Sequence, residues 1–260
     1  MLKVLLTPVF FLLWRVKVEG REHVPAQGPA VLAANHQSFC DSFFLPLVVR
    51  RKLTYLAKAE YFDTWKTAWF FRAAGQIPIR RGGGKESERA LQTAAEVLGR
   101  GKLLGLYPEG TRTLDDHVHK GRTGVARLSR ECGVPVVPVG IEGTVDVQPV
   151  DARFMRPFKT VTIRFGPPMR MEPVADPSDP LADHDHDVCR AFTDSLMHEI
   201  ATLSGRTYVD EYVPKRTRRA GTALEQNGSA AGPSPAPTIR PPGAHGTPGE
   251  PAAAEADGGQ

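Results

Sequence analysis

The stretch Ala33-Ala34-Asn35-His36-Gln37-Ser38-Phe39-Cys40-Asp41 places a histidine and a carboxylate five residues apart, just where an apolar run stops. Histidine has an ordinary pKa of about 6.5, so it can take and return a proton near neutral pH, and a neighbouring carboxylate can fix its tautomer and stabilise its imidazolium. His36 and Asp41 could form such a pair. The same spacing also suits a plain loop histidine followed by an aspartate that caps the next helix, and spacing alone does not separate the two readings. Ser38 and Cys40 lie between them as nucleophiles that His36 could activate toward an acyl-enzyme.

Two further polar clusters follow apolar runs. Gly75-Gln76-Ile77-Pro78-Ile79-Arg80-Arg81 ends in two arginines before Gly82-Gly83-Gly84. A guanidinium at a strand end, beside a loop free to bend, can hold a phosphate through paired hydrogen bonds, although a solvated charge pair at a turn has the same pattern. Tyr107-Pro108-Glu109-Gly110-Thr111-Arg112-Thr113 offers a glycine for close backbone approach, two hydroxyls and a guanidinium as phosphate donors, and a carboxylate to orient them. Asp183-His184-Asp185-His186-Asp187, like His117 and His119, invites a metal reading. Alternating Asp and His at a helix start more often form a solvated charge cluster.

The elements that must carry these residues alternate between strand and helix. Strands are expected over Arg15–Gly20, Ala30–Ala34, Leu53–Lys58, Gly75–Arg81, Lys102–Leu106, Val134–Ile141 and Phe158–Phe165. Helices are expected over Phe43–Val49, Glu60–Ala74, Lys85–Gly99, the stretch ending near Glu131, and Leu181–Leu203. The prolines of Val134–Ile141 suggest strand ends or an edge strand, and the stripe Tyr61, Trp65, Trp69, Arg72 reads first as core and second as a membrane contact. The expected fold is α/β, a single domain with a central largely parallel or mixed sheet flanked by helices. In such sheets ligands gather at the carboxyl ends of the strands, where all three polar clusters fall.

Composition narrows the class. Of 260 residues, 41% are hydrophobic and 24% charged, enough apolar material for a sizeable core. A formal charge of +4 suits an anionic membrane or a phosphorylated substrate, and no nucleic-acid motif is present. Cys40, Cys132 and Cys189 are widely spaced and odd in number, which argues against a disulfide framework and for a reducing compartment. Residues 1–14 form an apolar membrane-associating segment, residues 15–214 the main domain, and residues 215–260 a tail rich in Pro, Gly and Ala that should be disordered. The uncharged part of the first segment, Val4 to Trp14, is about half the ~20 residues a spanning helix needs, so it could lie in the membrane interface or dock on the core.

Four motifs in order resemble the 1-acylglycerol-3-phosphate (lysophosphatidate) acyltransferase family. Asn35, His36 and Asp41 match its Asn-His-x4-Asp; Gly75, Ile77, Ile79 and Arg81 match Gly-x-Ile-x-Ile-x-Arg; Pro108 to Arg112 match Pro-Glu-Gly-Thr-Arg, with Thr113 where the family has serine; Val134 to Pro138 match its Val-Pro-Val-Val-Pro strand. The resemblance covers about residues 15 to 165. It implies transfer of a fatty acyl group from acyl-CoA or acyl carrier protein to the free hydroxyl of a lysophospholipid, giving phosphatidate, with no metal and no cofactor beyond the acyl co-substrate. It implies His36 as general base with Asp41 orienting it, and Arg81, Glu109, Gly110, Thr111 and Arg112 as binders of the acceptor phosphate. Direct transfer also implies that Ser38 and Cys40 carry no acyl group. Its substrates imply a peripheral protein on the cytoplasmic face of the cell membrane. The rivals are the same chemistry on another lysophospholipid or a glycolipid, and a lipid-binding protein without catalysis.

Overall fold

The computed structural model describes residues 2–73, 75–79, 84–150, 152, 154–172 and 185–214. Arg80, Arg81, Asp183, His184 and the 215–260 tail lie outside them. In chain order the elements are α1 (Leu2–Leu13), β1 (Arg15–Glu19), β2 (Ala30–Ala34), α2 (Asp41–Val48), β3 (Leu53–Lys58), α3 (Trp65–Ala73), β4 (Ile77–Ile79), α4 (Lys85–Gly99), β5 (Leu103–Leu106), β6 (His117–His119), α5 (Gly124–Glu131), β7 (Val136–Glu142), α6 (Thr144–Val147), β8 (Thr160–Phe165), α7 (Asp185–Ser204) and β9 (Thr207–Val209).

Strands that are apolar on both faces need cover on both faces, and every residue of β2 is buried. The sheet has seven strands in the order β1-β8-β7-β2-β5-β3-β4. Neighbours run parallel except β7 and β8. The two-residue alternation of β2 splits the core into two layers. Leu32 and Ala34 join Phe44, Leu45, Val137 and Ile163 on the α2 side. Val31 and Ala33 join Val97 of α4, Val125 of α5 and Leu196 and Ile200 of α7 on the other. The largely parallel α/β sheet expected from the sequence is therefore present, with helices on both faces. β6 and β9 form a separate parallel pair outside it.

Two local expectations are corrected, and a third is settled in part. β7 is an interior strand, not an edge, because Pro138 falls where the β8 ladder runs out. Val139–Phe165 is the last β7–β8 pair, and beyond it Gly166 donates to the Pro138 carbonyl without needing an N–H in return. The aromatic stripe is not core: Trp65 is 77% and Trp69 65% exposed, while Ala68 is buried. A single helix over 60–74 would have carried Tyr61, Trp65 and Trp69 on one face, but a short 3-10 helix at Ala59–Phe62 breaks the period before α3 begins. Helix α1 is two-faced. Phe10 and Trp14, the residue that follows the helix, pack against Phe44 at ring centroid distances of 5.2 and 5.5 Å, whereas Leu12 is 80% exposed and Val9 and Phe11 also face out. Among the described residues no helix is long and apolar enough to cross a membrane.

Candidate active site

β2, β5 and β7 are adjacent parallel strands, so their carboxyl ends lie side by side. The chain leaving β2 carries Asn35 and His36. Asn35 continues the ladder with its side chain: Nδ2 donates to the Ile141 carbonyl at 2.9 Å and Oδ1 accepts the Ile141 N–H at 2.8 Å. That bracket keeps the chain straight for one more residue and delivers His36 to the rim.

The Asp41 carboxylate points backwards along the chain, toward His36, and does not cap the helix it starts. Its Oδ2 accepts from His36 Nδ1 and from the backbone N–H groups of Gln37 and Ser38, all at 2.9 Å, and α2 has no side-chain N-cap bond. Asp41 is 1% exposed, and its Oδ1 has no partner. A carboxylate on Nδ1 puts the ring proton there and leaves the lone pair on Nε2, which bonds to nothing among the described residues. The arrangement is that of a base with a fixed tautomer.

The turn leaving β5 holds the same histidine from the other side. Tyr107 stacks on the imidazole with centroids 3.9 Å apart and planes 11° from parallel. Its hydroxyl bonds Ser42 at 3.1 Å and donates to the Tyr55 hydroxyl at 3.3 Å. Gly105 makes that pairing possible, because a Cβ there would lie 2.4 Å from the Tyr55 ring. Glu109 accepts the His36 N–H at 3.1 Å on one oxygen and the His119 N–H at 2.9 Å on the other. The Thr113 N–H and hydroxyl both donate to the His36 carbonyl, at 2.9 and 3.3 Å. His36 is thus bound through its N–H, its carbonyl, its ring face and Nδ1.

Glu109 is 2% exposed, and burial lifts its pKa from 4.5 to about 7 against the two amide bonds, which lower it. Both its oxygens are engaged by backbone amides, so it braces the turn. Gly110, Thr111 and Arg112 follow it in the same turn. Gly110 has φ +77° and is exposed, as is Thr111, and Arg112 is half-buried with no side-chain partner among the described residues. Arg81 lies outside the described residues.

Ser38 and Cys40 face away from the histidine. Ser38 Oγ donates to the Gln148 carbonyl at 2.8 Å and Cys40 Sγ to the Thr144 carbonyl at 3.4 Å, and burial pushes the Cys40 thiol up to about 12. A thiol so disposed supplies almost no thiolate.

Several residues at the site carry no sequence signal. Tyr107 stacks on a residue 71 positions away, and the ring overlap follows only from β2 and β5 being neighbours. Arg122 lies against Gly110, with its Nε 3.0 Å from where a Cβ would sit, and its guanidinium stands 5.6 Å over the Tyr212 ring. Arg206, just after α7, ion-pairs with Asp116. Burial lowers its pKa, and the charges of the Asp41, Glu109 and Asp115 carboxylates act against that. The basic pair flanking Gly121 was the only visible hint of Arg122, and nothing pointed to Arg206.

A tautomer-fixed histidine at the carboxyl ends of a parallel sheet, beside a Gly-Thr-Arg turn, is an arrangement that can take a proton next to a cationic side chain. Residues 15–142 match the family model described as Acyltransferase. The chain is 29% identical over 137 residues to the chloroplastic 1-acyl-sn-glycerol-3-phosphate acyltransferase LPAT1 of Arabidopsis thaliana, covering 52% of this chain and 38% of that one. It is 37% identical over 141 residues to the lyso-ornithine lipid O-acyltransferase of Pseudomonas aeruginosa, covering 52% of each. Among solved structures, the 1-acyl-sn-glycerophosphate acyltransferase PlsC of Thermotoga maritima superposes with a TM-score of 0.53 at 27% identity, covering 70% of this chain and 71% of that one. Over residues 15–142, about half of its length, the chain is thus similar to the Acyltransferase family, and among its members to 1-acylglycerol-3-phosphate acyltransferases. It spans about two fifths of the length of the plant and algal relatives it matches.

Proposed function

We propose that the protein transfers a fatty acyl group from a thioester, acyl-CoA or acyl carrier protein, to the free hydroxyl of 1-acylglycerol-3-phosphate, giving phosphatidate. The observation that carries this reading is the His36–Asp41 pair with Nε2 left open. The acceptor O–H gives its proton to Nε2 as its oxygen attacks the thioester carbonyl carbon. Asp41 stabilises the imidazolium that forms. Collapse of the tetrahedral intermediate breaks the C–S bond, and the departing thiolate takes the proton back from Nε2, so an ester and a thiol leave and the enzyme is unchanged. The step needs no metal or redox partner. Arg112 and Arg122, with Thr111, Gly110 and the Arg81 of the family motif, bind the acceptor phosphate.

The 37% identity with a lyso-ornithine lipid O-acyltransferase favours a second acceptor class, a lyso-lipid without a glycerol phosphate. One assay separates the readings: thiol release from a long-chain acyl-CoA offered lysophosphatidate, lysophosphatidylglycerol and lyso-ornithine lipid in turn. Lysophosphatidate should turn over fastest, and His36→Ala should abolish the signal. Preference for lyso-ornithine lipid would replace the acceptor, turnover surviving His36→Ala would sink the mechanism, and no turnover with any acceptor would favour a lipid-binding protein. The protein works at the cytoplasmic membrane face, held through the outward side of α1. Deleting residues 1–14 would also strip Phe10 and Trp14 from the core, so Phe11→Ser with Leu12→Ser is the cleaner variant to follow between soluble and membrane fractions.

A further inference from the structure

The loop entering β8 presents its largest apolar side chains to solvent. Phe154 is 76% and Phe158 71% exposed, yet the loop itself is pinned. Between them Met155 packs against the core, the Trp14 indole N–H donates to the Arg156 carbonyl at 2.8 Å, the Phe158 N–H donates to the Leu13 carbonyl at 2.7 Å, and the Arg15 N–H to the Lys159 carbonyl at 3.0 Å. Phe158 is also the one non-glycine with positive φ among the described residues, at +62°. A bulky aromatic in the left-handed region, turned out into water, gains nothing for the fold, and such strain persists where the exposed side chain has another use.

The surroundings say what that use is. The same hydrogen bonds place this loop against the end of α1, so the exposed Phe154 and Phe158 stand on a loop beside the helix that carries the exposed Phe11 and Leu12. The exposed cations around them are Arg15, Lys17, Arg156 and Lys159. Of the exposed acidic side chains there, Glu19 and Glu142 are both paired with Arg164, and Asp146 stands on α6. Exposed aromatic side chains set among exposed cations match an interface in which rings enter the headgroup layer and cations meet lipid phosphate.

Its position relative to the active site is also fixed. β8 runs against β7, with Thr162 opposite Glu142, so the start of β8 lies at the carboxyl end of β7, the end at which His36 stands. Hydrogen bonds run from one to the other: Ser38 Oγ to the Gln148 carbonyl, and the Arg156 N–H to the Val147 carbonyl at 2.7 Å.

We infer that Phe154 and Phe158, with the outward side of α1, form a docking surface for a bilayer containing anionic lipid, and that this surface sets the rim of the active site against the membrane. Docking is read without turnover, so it stands or falls apart from the acyl-transfer reading.

Full-length protein would be sedimented with vesicles of phosphatidylcholine, with and without phosphatidylglycerol. The wild type should bind the anionic vesicles more tightly than the neutral ones. Phe154→Ser combined with Phe158→Gly should weaken binding about tenfold or more, while Phe158→Gly alone leaves Tm unchanged or raised, because glycine relieves the left-handed backbone. Arg156→Glu with Lys159→Glu should remove about as much affinity for anionic vesicles and little for neutral ones. Undiminished vesicle binding by the double phenylalanine variant would overturn the proposal. So would a lowered Tm with intact binding in Phe158→Gly, which would make Phe158 a packing residue, or a solution dimer that dissociates in the double variant, which would make the patch a contact between two copies of the chain.

Discussion

The two halves of the turn after β5 are built in opposite ways. On the His36 side, Tyr107, Glu109 and Thr113 each commit a ring, a carboxylate or a donor pair to His36, and Glu109 and Thr113 are buried. On the other side, Gly110 and Thr111 are exposed and the Arg112 side chain is half-buried with no partner among the described residues. The difference follows what each half must do. A base works through a proton-transfer distance and so benefits from being fixed before substrate arrives, whereas cations that receive a headgroup must stay hydrated and adjustable until it binds.

The comparison can be broken by variants that treat the halves alike. The largest effect belongs to the base: His36→Ala should cut kcat about 10²- to 10⁴-fold with little change in KM for the acceptor, measured by steady-state thiol release. A KM effect of the same size would mean that His36 binds rather than reacts.

Next comes the brace. The native Glu109 carboxyl keeps its proton up to about 7, whereas the unfolded chain releases it near 4.5. The stability it contributes is therefore fully present below 4.5 and is lost as pH rises through 7, a swing of about 3 kcal/mol by proton linkage. Denaturant midpoints followed across that window should fall with pH, and Glu109→Gln should flatten the slope while lowering stability at every pH, since its amide sets an N–H against a backbone N–H. An unchanged slope would show that another group titrates.

On the open side, Arg112→Ala should raise the acceptor KM about ten- to a hundredfold, leave kcat nearly untouched and shift stability by less than about 0.5 kcal/mol. A large loss of stability would mean that Arg112 belongs to the clamp after all. The smallest effect is Thr113→Val, which keeps the backbone donor and deletes the hydroxyl. It should cost about 1 kcal/mol of stability and a few-fold in kcat.

What could be read from the chain divides along physical lines. β2, β3 and α4 were legible to the residue, because Ala30–Ala34 lies between Pro29 and Asn35, Leu53–Lys58 follows the cations Arg50, Arg51 and Lys52, and Lys85–Gly99 keeps a helical period up to its glycine. β6 and β9 were not, since three-residue strands such as His117–His119 and Thr207–Val209 have too few positions to show a period. In the site, His36 and Asp41 were visible as a local spacing. The phase of Trp65 and Trp69 was misjudged because a break at Ala59–Phe62 leaves no mark in composition. Tyr107 against His36, Arg122 against Gly110 and Arg206 beneath the carboxylates are all long-range meetings that only sheet order creates.

Glu109 ties two amides that belong to different parts of the chain. His36 follows β2, and His119 ends β6, which is paired in turn with β9. One carboxylate holding both protons makes them a single opening unit, so neither is released to solvent while the other stays bound through an intact turn. In hydrogen exchange the two positions should lose protection together, and the short strand pair at the far end of the sequence then reports on how long the base stays in place.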